Sequence, residues 1–480
     1  MPLVNDPDLL HTQNDSTTPM PPKRVRTVEG SCWSCKQRRV KCDLQKPLCG
    51  KCIVAGTKCN YDRILIKWDA RPSKGSPLGN QLCLYHNSLP GTGGYNLAIN
   101  ERRAIDYFRS RVWPLFSTST QPCAAPIAMA MADRSVLLAT CVMADSHRVL
   151  FDGRNSKENV HNKRLHCLTT VRKRLADAAG SSKGMPLSTV LVAVLLMYFS
   201  DGFVECDQPS SSTLSHHAGA RAIIDSLGGL PAIMSDGETS MKMLLSEFAT
   251  TSLTNTLLHG TPPSFPSHVW ETMDTNAVWW ENTPSGMETF ASIFRKMSQL
   301  ALYQDLVSSG QQEFSIERIK DFEADLRPVY ASISPIELTD REDLQDSKPL
   351  DPDMVPSSAL LRAFQHSANL YLYRAVCGLP ANHYVVQQHA QACLDCIMGM
   401  PPQSKALNCA LFPLLVAGAH AVIESSQQAI LRKLDLVYSN LKFNAVKSIR
   451  SALEDLWKSP QQCESWFDMF ASLDPQALVL

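Results

Sequence analysis

The sequence predicts two unequal parts, a small cysteine-stapled head of two short helices followed by a large all-α multi-helix body, and three observations carry that prediction. Six of the 16 cysteines fall between Cys32 and Cys59. From residue 99 onward apolar residues recur at helical spacing between short Gly, Pro and Ser breaks, and no strand-like alternation persists. Between the two parts, Arg71-Pro72-Ser73-Lys74-Gly75-Ser76-Pro77 and Pro90-Gly91-Thr92-Gly93-Gly94 interrupt any regular period.

Bulk properties bound the answer before any motif does. A chain of 480 residues, 44% hydrophobic and 19% charged, has the composition of a globular protein with at least one large core and two or three folding units. The 46 basic and 46 acidic residues cancel, but not locally. From Pro21 to Arg63, eleven Lys/Arg stand against three acids, a balance of +8 that leaves −8 for the rest of the chain. A short basic head on a mildly acidic body is expected where one part meets a polyanion and the other does not. The first twenty residues hold no apolar run of signal-peptide length. The most apolar stretch, Leu187 to Phe199, falls short of the roughly 20 residues a membrane span needs. The expectation is an intracellular protein with no membrane partner, in a reducing compartment where closely spaced thiols hold metal.

The head cysteines run Cys32-x2-Cys35-x6-Cys42-x6-Cys49-x2-Cys52-x6-Cys59, so that C-x2-C-x6-C occurs twice. A C-x2-C pair sets two thiolates on one ion, and a third returns after a short helical stretch. Two tetrahedral zinc ions need eight ligand positions. Six thiolates suffice only if two sulfurs bridge, and the count therefore predicts a bridged pair of zincs. No histidine lies between Cys32 and Cys59, which removes the mixed Cys/His fingers. A disulfide knot and a purely structural zinc module are the competing readings. Against the second, Lys36-Gln37-Arg38-Arg39-Val40-Lys41 puts four cations between Cys35 and Cys42, whereas the matching second loop has only Lys58, with Lys51 inside its C-x2-C pair. The first short helix is thus the one suited to a major groove.

SCWSCKQRRVKCDLQKPLCGKCIVAGTKCNY resembles the fungal zinc binuclear-cluster transcription factors, in all six ligand positions, the basic run before Cys42, Asp43 after it and Pro47 before Cys49. The resemblance implies a zinc-dependent binuclear cluster domain with two Zn2+ per chain, bridged by Cys32 and Cys49. It also implies a nuclear, sequence-specific regulator of RNA polymerase II genes that reads CGG-like half-sites in double-stranded DNA. Arg38 and Arg39 become the base-contacting residues, since the planar guanidinium pairs with guanine O6 and N7. Lys36, Lys41, Lys46, Lys51 and Lys58 become phosphate contacts that position without reading sequence. The resemblance also leaves room for a homodimer, and service to one metabolic or biosynthetic gene cluster is a further expectation from it.

The predicted order is a basic-ended arm (1–28), the cluster domain (29–63), a Pro/Gly-containing linker without coiled-coil heptads (64–98) and an all-α body (99–480). In the arm, Pro21-Pro22-Lys23-Arg24-Val25-Arg26 fits an import signal or a phosphate clamp. Helices are expected over 101–113, 132–149, 157–179, 187–199, 213–227, 288–307, 357–377, 385–398, 406–425 and 446–457. Asn100-Glu-Arg-Arg-Ala-Ile-Asp-Tyr-Phe, Tyr198-Phe-Ser-Asp-Gly202, His217-Ala-Gly-Ala-Arg-Ala-Ile-Ile224 and Leu411-Phe-Pro-Leu-Leu-Val-Ala-Gly418 make the body similar to the fungal-specific regulatory domain. Seven acids between Glu337 and Asp353, interspersed with Leu338, Leu344 and Leu350, read first as a solvated loop and otherwise as a contact for coactivators or the general transcription machinery. No enzyme is expected. Gly180-Ser181-Ser182-Lys183-Gly184 has the G-x-S-x-G pattern of a hydrolase elbow but follows a charged helical segment where that elbow needs a strand. Cys393 and Cys396 read as buried helix cysteines, and His216 and His217, being adjacent, point apart.

Overall fold

The computed structural model describes residues 31–59 except 33, 36, 37, 39 and 47, and residues 97–480 except 120–121, 153–156, 181–186, 275, 282–287, 328–355 and 459–464. The arm, most of the linker, the acidic loop and the Ser182 motif lie outside them. The chain divides into two compact units, 1–88 and 89–480. In the first, Ser34 and Cys35 are helical, the backbone N–H of Arg38 donates to Ser34 O at 3.1 Å, and that of Val40 to Cys35 O at 3.0 Å. Helix α1 (Gly50–Val54) follows Cys49. Gly56, at φ 58°, turns the chain back toward Cys59 in a left-handed conformation that glycine adopts without a Cβ clash.

The regular elements among the described residues of the second unit are all helical, with no strand among them. In chain order the helices are α2 (Ile99–Tyr107), α3 (Ile127–Ala132), α4 (Arg134–Asp152), α5 (Lys157–Gly180), α6 (Leu187–Phe199), α7 (Thr213–Ser226), α8 (Leu230–Asp236) and α9 (Thr239–His259). There follow α10 (Val269–Met273), α11 (Phe290–Ser308), α12 (Ile316–Asp325), α13 (Pro356–Tyr371), α14 (Tyr384–Met398), α15 (Leu411–Ala419), α16 (Glu424–Leu441) and α17 (Asn444–Lys458). Three of them run on into a π-helical turn, at Phe108–Val112, Ser200–Val204 and Leu372–Val376.

The center of the body is α6. Every residue from Val190 to Phe199 is buried, as a helix apolar on all sides requires. It packs on α4 and α7, while α13 packs on α14, α14 on α15, and α15 and α16 on α17. With its π-turn the segment Leu187–Val204 reaches 18 residues and is long and apolar enough to cross a membrane, more than Leu187 to Phe199 alone suggested; 83% of it is buried within the body, so protein packing uses that surface.

The single helix expected over 406–425 is corrected to a 3-10 turn (Lys405–Cys409), α15 and the beginning of α16. The physical cause lies far along the chain. Leu411 N and Phe412 N donate to Leu480 O at 2.6 and 3.1 Å, so α15 starts afresh at a foreign carbonyl. The same C-terminal residues lock α6 and α9: Leu478 N donates to Gly202 O at 3.0 Å, and Thr254 Oγ1 to Val479 O at 2.5 Å. A Cβ on Gly202 would lie 2.3 Å from Leu478 Cγ and 3.1 Å from Thr213 Cγ2. Gly202→Ala gains roughly 0.5–1 kcal/mol of helix propensity but meets roughly 1–3 kcal/mol of overpacking. The expected outcome is a net loss of about 1–2 kcal/mol in urea unfolding, and an unchanged or raised midpoint would show that Leu478 does not hold its seat.

Candidate metal centre and nucleic-acid interface

The C-x2-C pairs stand at helical turns, the first at Ser34–Cys35 and the second entering α1, which brings their sulfurs together. Cys32 Sγ lies 3.6 Å from Cys49 Sγ and 3.5 Å from Cys52 Sγ, and Cys35 Sγ lies 3.5 and 3.9 Å from the same two. Cys49 N donates to Cys59 Sγ at 3.3 Å. These separations are far beyond an S–S bond of about 2.0 Å. They match the edges, about 3.8 Å, of a tetrahedron with Zn–S bonds of about 2.3 Å. Two sets of four thiols have sulfurs within 4.8 Å of one another, Cys32/Cys35/Cys42/Cys49 and Cys32/Cys49/Cys52/Cys59, and the sets overlap in Cys32 and Cys49.

Five of the six cysteines are buried and Cys59 is half-buried. Burial pushes the thiols of Cys32, Cys35 and Cys49 up. At Cys52 burial also pushes up, but hydrogen bonds with Cys49, Thr57, Cys32 and Cys35 outweigh it and bring the thiol down to about 6. Thiols so crowded cannot ionise together without a cation between them, and the donor set fits zinc.

Around the sulfurs, Asp43 Oδ1 accepts from Gly50 N at 3.2 Å, tying the first loop to the start of α1, and Ser34 Oγ donates to Lys58 O at 2.5 Å. Lys41, Lys46, Lys51 and Lys58 are exposed; Lys36 and Arg39 lie outside the described residues. Arg38 is exposed, yet its guanidinium folds back over the cluster. Nη2 donates to Lys51 O at 3.1 Å and approaches Cys52 Sγ at 3.5 Å, and Nε donates to Ser34 O at 3.3 Å. Spacing gave no sign of this clasp, because its acceptor is a backbone carbonyl 13 positions away.

In the body, Cys393 and Cys396 are buried on α14, and the Cys393 thiol donates to Ala363 O at 3.4 Å. His217 Nε2 meets Ser252 Oγ at 3.0 Å whereas His216 Nε2 lies 3.4 Å from Asp201 Oδ2, so the two histidines diverge. Among the described residues, cysteine, histidine and carboxylate groups gather as a metal site would require only in the head.

Two family models match the chain: "Fungal Zn(2)-Cys(6) binuclear cluster domain" over residues 30–67 and "Fungal specific transcription factor domain" over residues 103–479. Three Saccharomyces cerevisiae proteins are similar over short stretches. Arginine metabolism regulation protein II is 33% identical over 90 residues, 18% of this chain and 10% of that protein. Thiamine biosynthesis regulatory protein is 38% identical over 53 residues, 11% of each. Oleate-activated transcription factor 1 is 34% identical over 59 residues, 11% of this chain and 6% of that protein. The chain thus spans about a tenth or less of the length of these curated relatives. No solved structure matches it.

Proposed function

Since the chain belongs to the fungal-specific transcription factor family and joins that domain to a Zn(2)-Cys(6) binuclear cluster, we propose that it is a zinc-dependent, sequence-specific regulator of RNA polymerase II genes acting in the nucleus. The observation that carries the reading is the overlap of the two sulfur sets in Cys32 and Cys49. In it Cys32, Cys35, Cys42, Cys49, Cys52 and Cys59 hold two zincs, with Cys32 and Cys49 bridging, which supplies the eight ligand positions that six sulfurs otherwise lack. Zinc contributes the crosslink that a segment of this size needs in order to fold, since it has almost no apolar interior of its own. The boundaries 29–63 for the head, 64–98 for the linker and 99–480 for the body belong to the same reading, with the body carrying regulation and assembly. It is a regulator rather than an enzyme. The names of the yeast proteins for arginine metabolism and thiamine biosynthesis support a pathway-specific role.

Six thiolates and two zincs sum to −2, which leaves the segment from Pro21 to Arg63 at about +6, strongly attractive to phosphate. Lys36, Lys41, Lys46, Lys51 and Lys58 are its phosphate contacts, while Arg38 and Arg39 read guanine in a CGG-like half-site. Arg38 reaches a base by leaving the Lys51 carbonyl, so its two roles exclude each other in time. Selection of bound duplexes from a random pool tests the reading as a whole: enrichment of CGG-like half-sites is expected, and a flat response across sequences would overturn it. Within that assay Arg38→Ala is expected to relax base preference by about 1 to 3 kcal/mol. Equal weakening on every sequence would make Arg38 a phosphate contact or a structural clasp instead.

A further inference from the structure

A cavity of about 430 Å³ opens in the body between the end of α4, the first turns of α5, the segment after Val204 and the start of α17. That volume lies within the range of small-molecule sites. It adjoins a groove that shares Asp207, Asn444 and Lys447 with it.

The lining carries more acid than base. Glu158, Glu205 and Asp207 are set against the fixed cations Arg164 and Lys447, with His161 also in the lining. Arg164 is itself buried and pairs with both Asp201 and Glu205, so one guanidinium answers two carboxylates. The Lys447 ammonium is held 4.7 Å over the Tyr438 ring. Burial pushes the Glu205 carboxyl up, against the pull of the adjacent arginine. Asn444, only 5% exposed, donates from Nδ2 to Asp207 Oδ1 at 2.9 Å. A carboxylate accepts only, so this bond fixes which way the amide points. Asn444 Oδ1 is left buried with no donor, a rare condition in a folded chain that calls for one.

We propose that this cavity binds a small amine-bearing metabolite, its ammonium group received by Glu205, Asp207 and Asn444 Oδ1 and its carbon chain lying along Val149 and Leu150. An ammonium brings positive charge to a lining with three carboxylates against two fixed cations, and a donor for Asn444 Oδ1. A diamine and a basic amino acid share that chemistry. The proposal concerns the body and is independent of how the head reads DNA.

Calorimetric titration of the full-length, zinc-loaded protein with putrescine, L-ornithine and malonate tests it. Saturable binding of putrescine or L-ornithine is expected, with none of malonate; putrescine alone assigns a diamine, and L-ornithine, alone or with it, assigns an amino acid. Asp207→Asn keeps an acceptor for Asn444 while removing the charge. This variant is expected to weaken amine binding about tenfold, whereas Asp321→Asn on α12 leaves it unchanged. Failure of both amines to bind at roughly 10 mM, equal binding of malonate, or undiminished binding by Asp207→Asn would overturn the site. Because duplex selection is a separate assay, that failure would leave the reading of the head standing.

Discussion

Replacing Cys49 by alanine is expected to strip both metals from the head and with them all sequence-selective DNA binding. Cys49 is fully buried and belongs to both sulfur sets, so its loss leaves each set with three ligands. Apparent binding energies of about 10–16 kcal/mol for a structural zinc exceed anything else that holds so small a segment together. Cys59, half-buried and a member of one set only, supplies the control: Cys59→Ala is expected to keep one zinc. Metal-to-protein ratios measured by emission spectroscopy, beside gel-shift titrations, check the ranking. Two zincs retained in Cys49→Ala would refute the bridging assignment, and DNA selectivity that survives complete chelation would end the zinc-dependent account.

Arg164→Ala is expected to destabilise the body by about 3–5 kcal/mol, the largest loss we anticipate from a single substitution there. Arg164 is 3% exposed and Asp201 is 0% exposed. Asp201 also accepts from Ser212 N at 2.8 Å, at the entrance to α7. Removing the guanidinium leaves Asp201 charged, buried and answered only by a backbone N–H and His216 at 3.4 Å. The arginine thus couples α5 to the π-turn and the start of α7. Urea unfolding of Arg164→Ala, Asp201→Asn and the double variant gives the coupling as a cycle. The double variant should recover part of the loss, because the orphaned charge is gone. A loss under about 1 kcal/mol in Arg164→Ala would mean that water reaches the pair.

The metal centre was legible because its geometry is local. Two C-x2-C units and their intervening distances constrain six sulfurs with little help from the rest of the chain, and the sulfurs do gather in two overlapping sets. Helices with an apolar stripe or an apolar run were legible too, Leu187–Phe199 to the residue. The long helix α9 was not, since Thr239–His259 is rich in Ser and Thr and shows no stripe. Its hydroxyls satisfy themselves on the preceding turn, Thr250 Oγ1 on Ser246 O at 2.8 Å and Thr251 Oγ1 on Glu247 O at 2.9 Å. Residues that read as polar can therefore be buried all round. What depends on distant partners was equally invisible: Leu480 beneath α15, Arg164 against Asp201, and Arg38 folded onto the Lys51 carbonyl.

The buried residues that cluster in the head are cysteines, not hydrocarbon side chains. Such an interior is held by coordination chemistry, and it is most vulnerable before the ions arrive. Without the ions nothing else holds the six thiols in place, and they lie open to oxidation, whereas Cys393 and Cys409 are enclosed in the body. Newly made protein therefore faces a race between metal uptake and peroxide. How much of it becomes competent is then set jointly by zinc supply and reducing capacity.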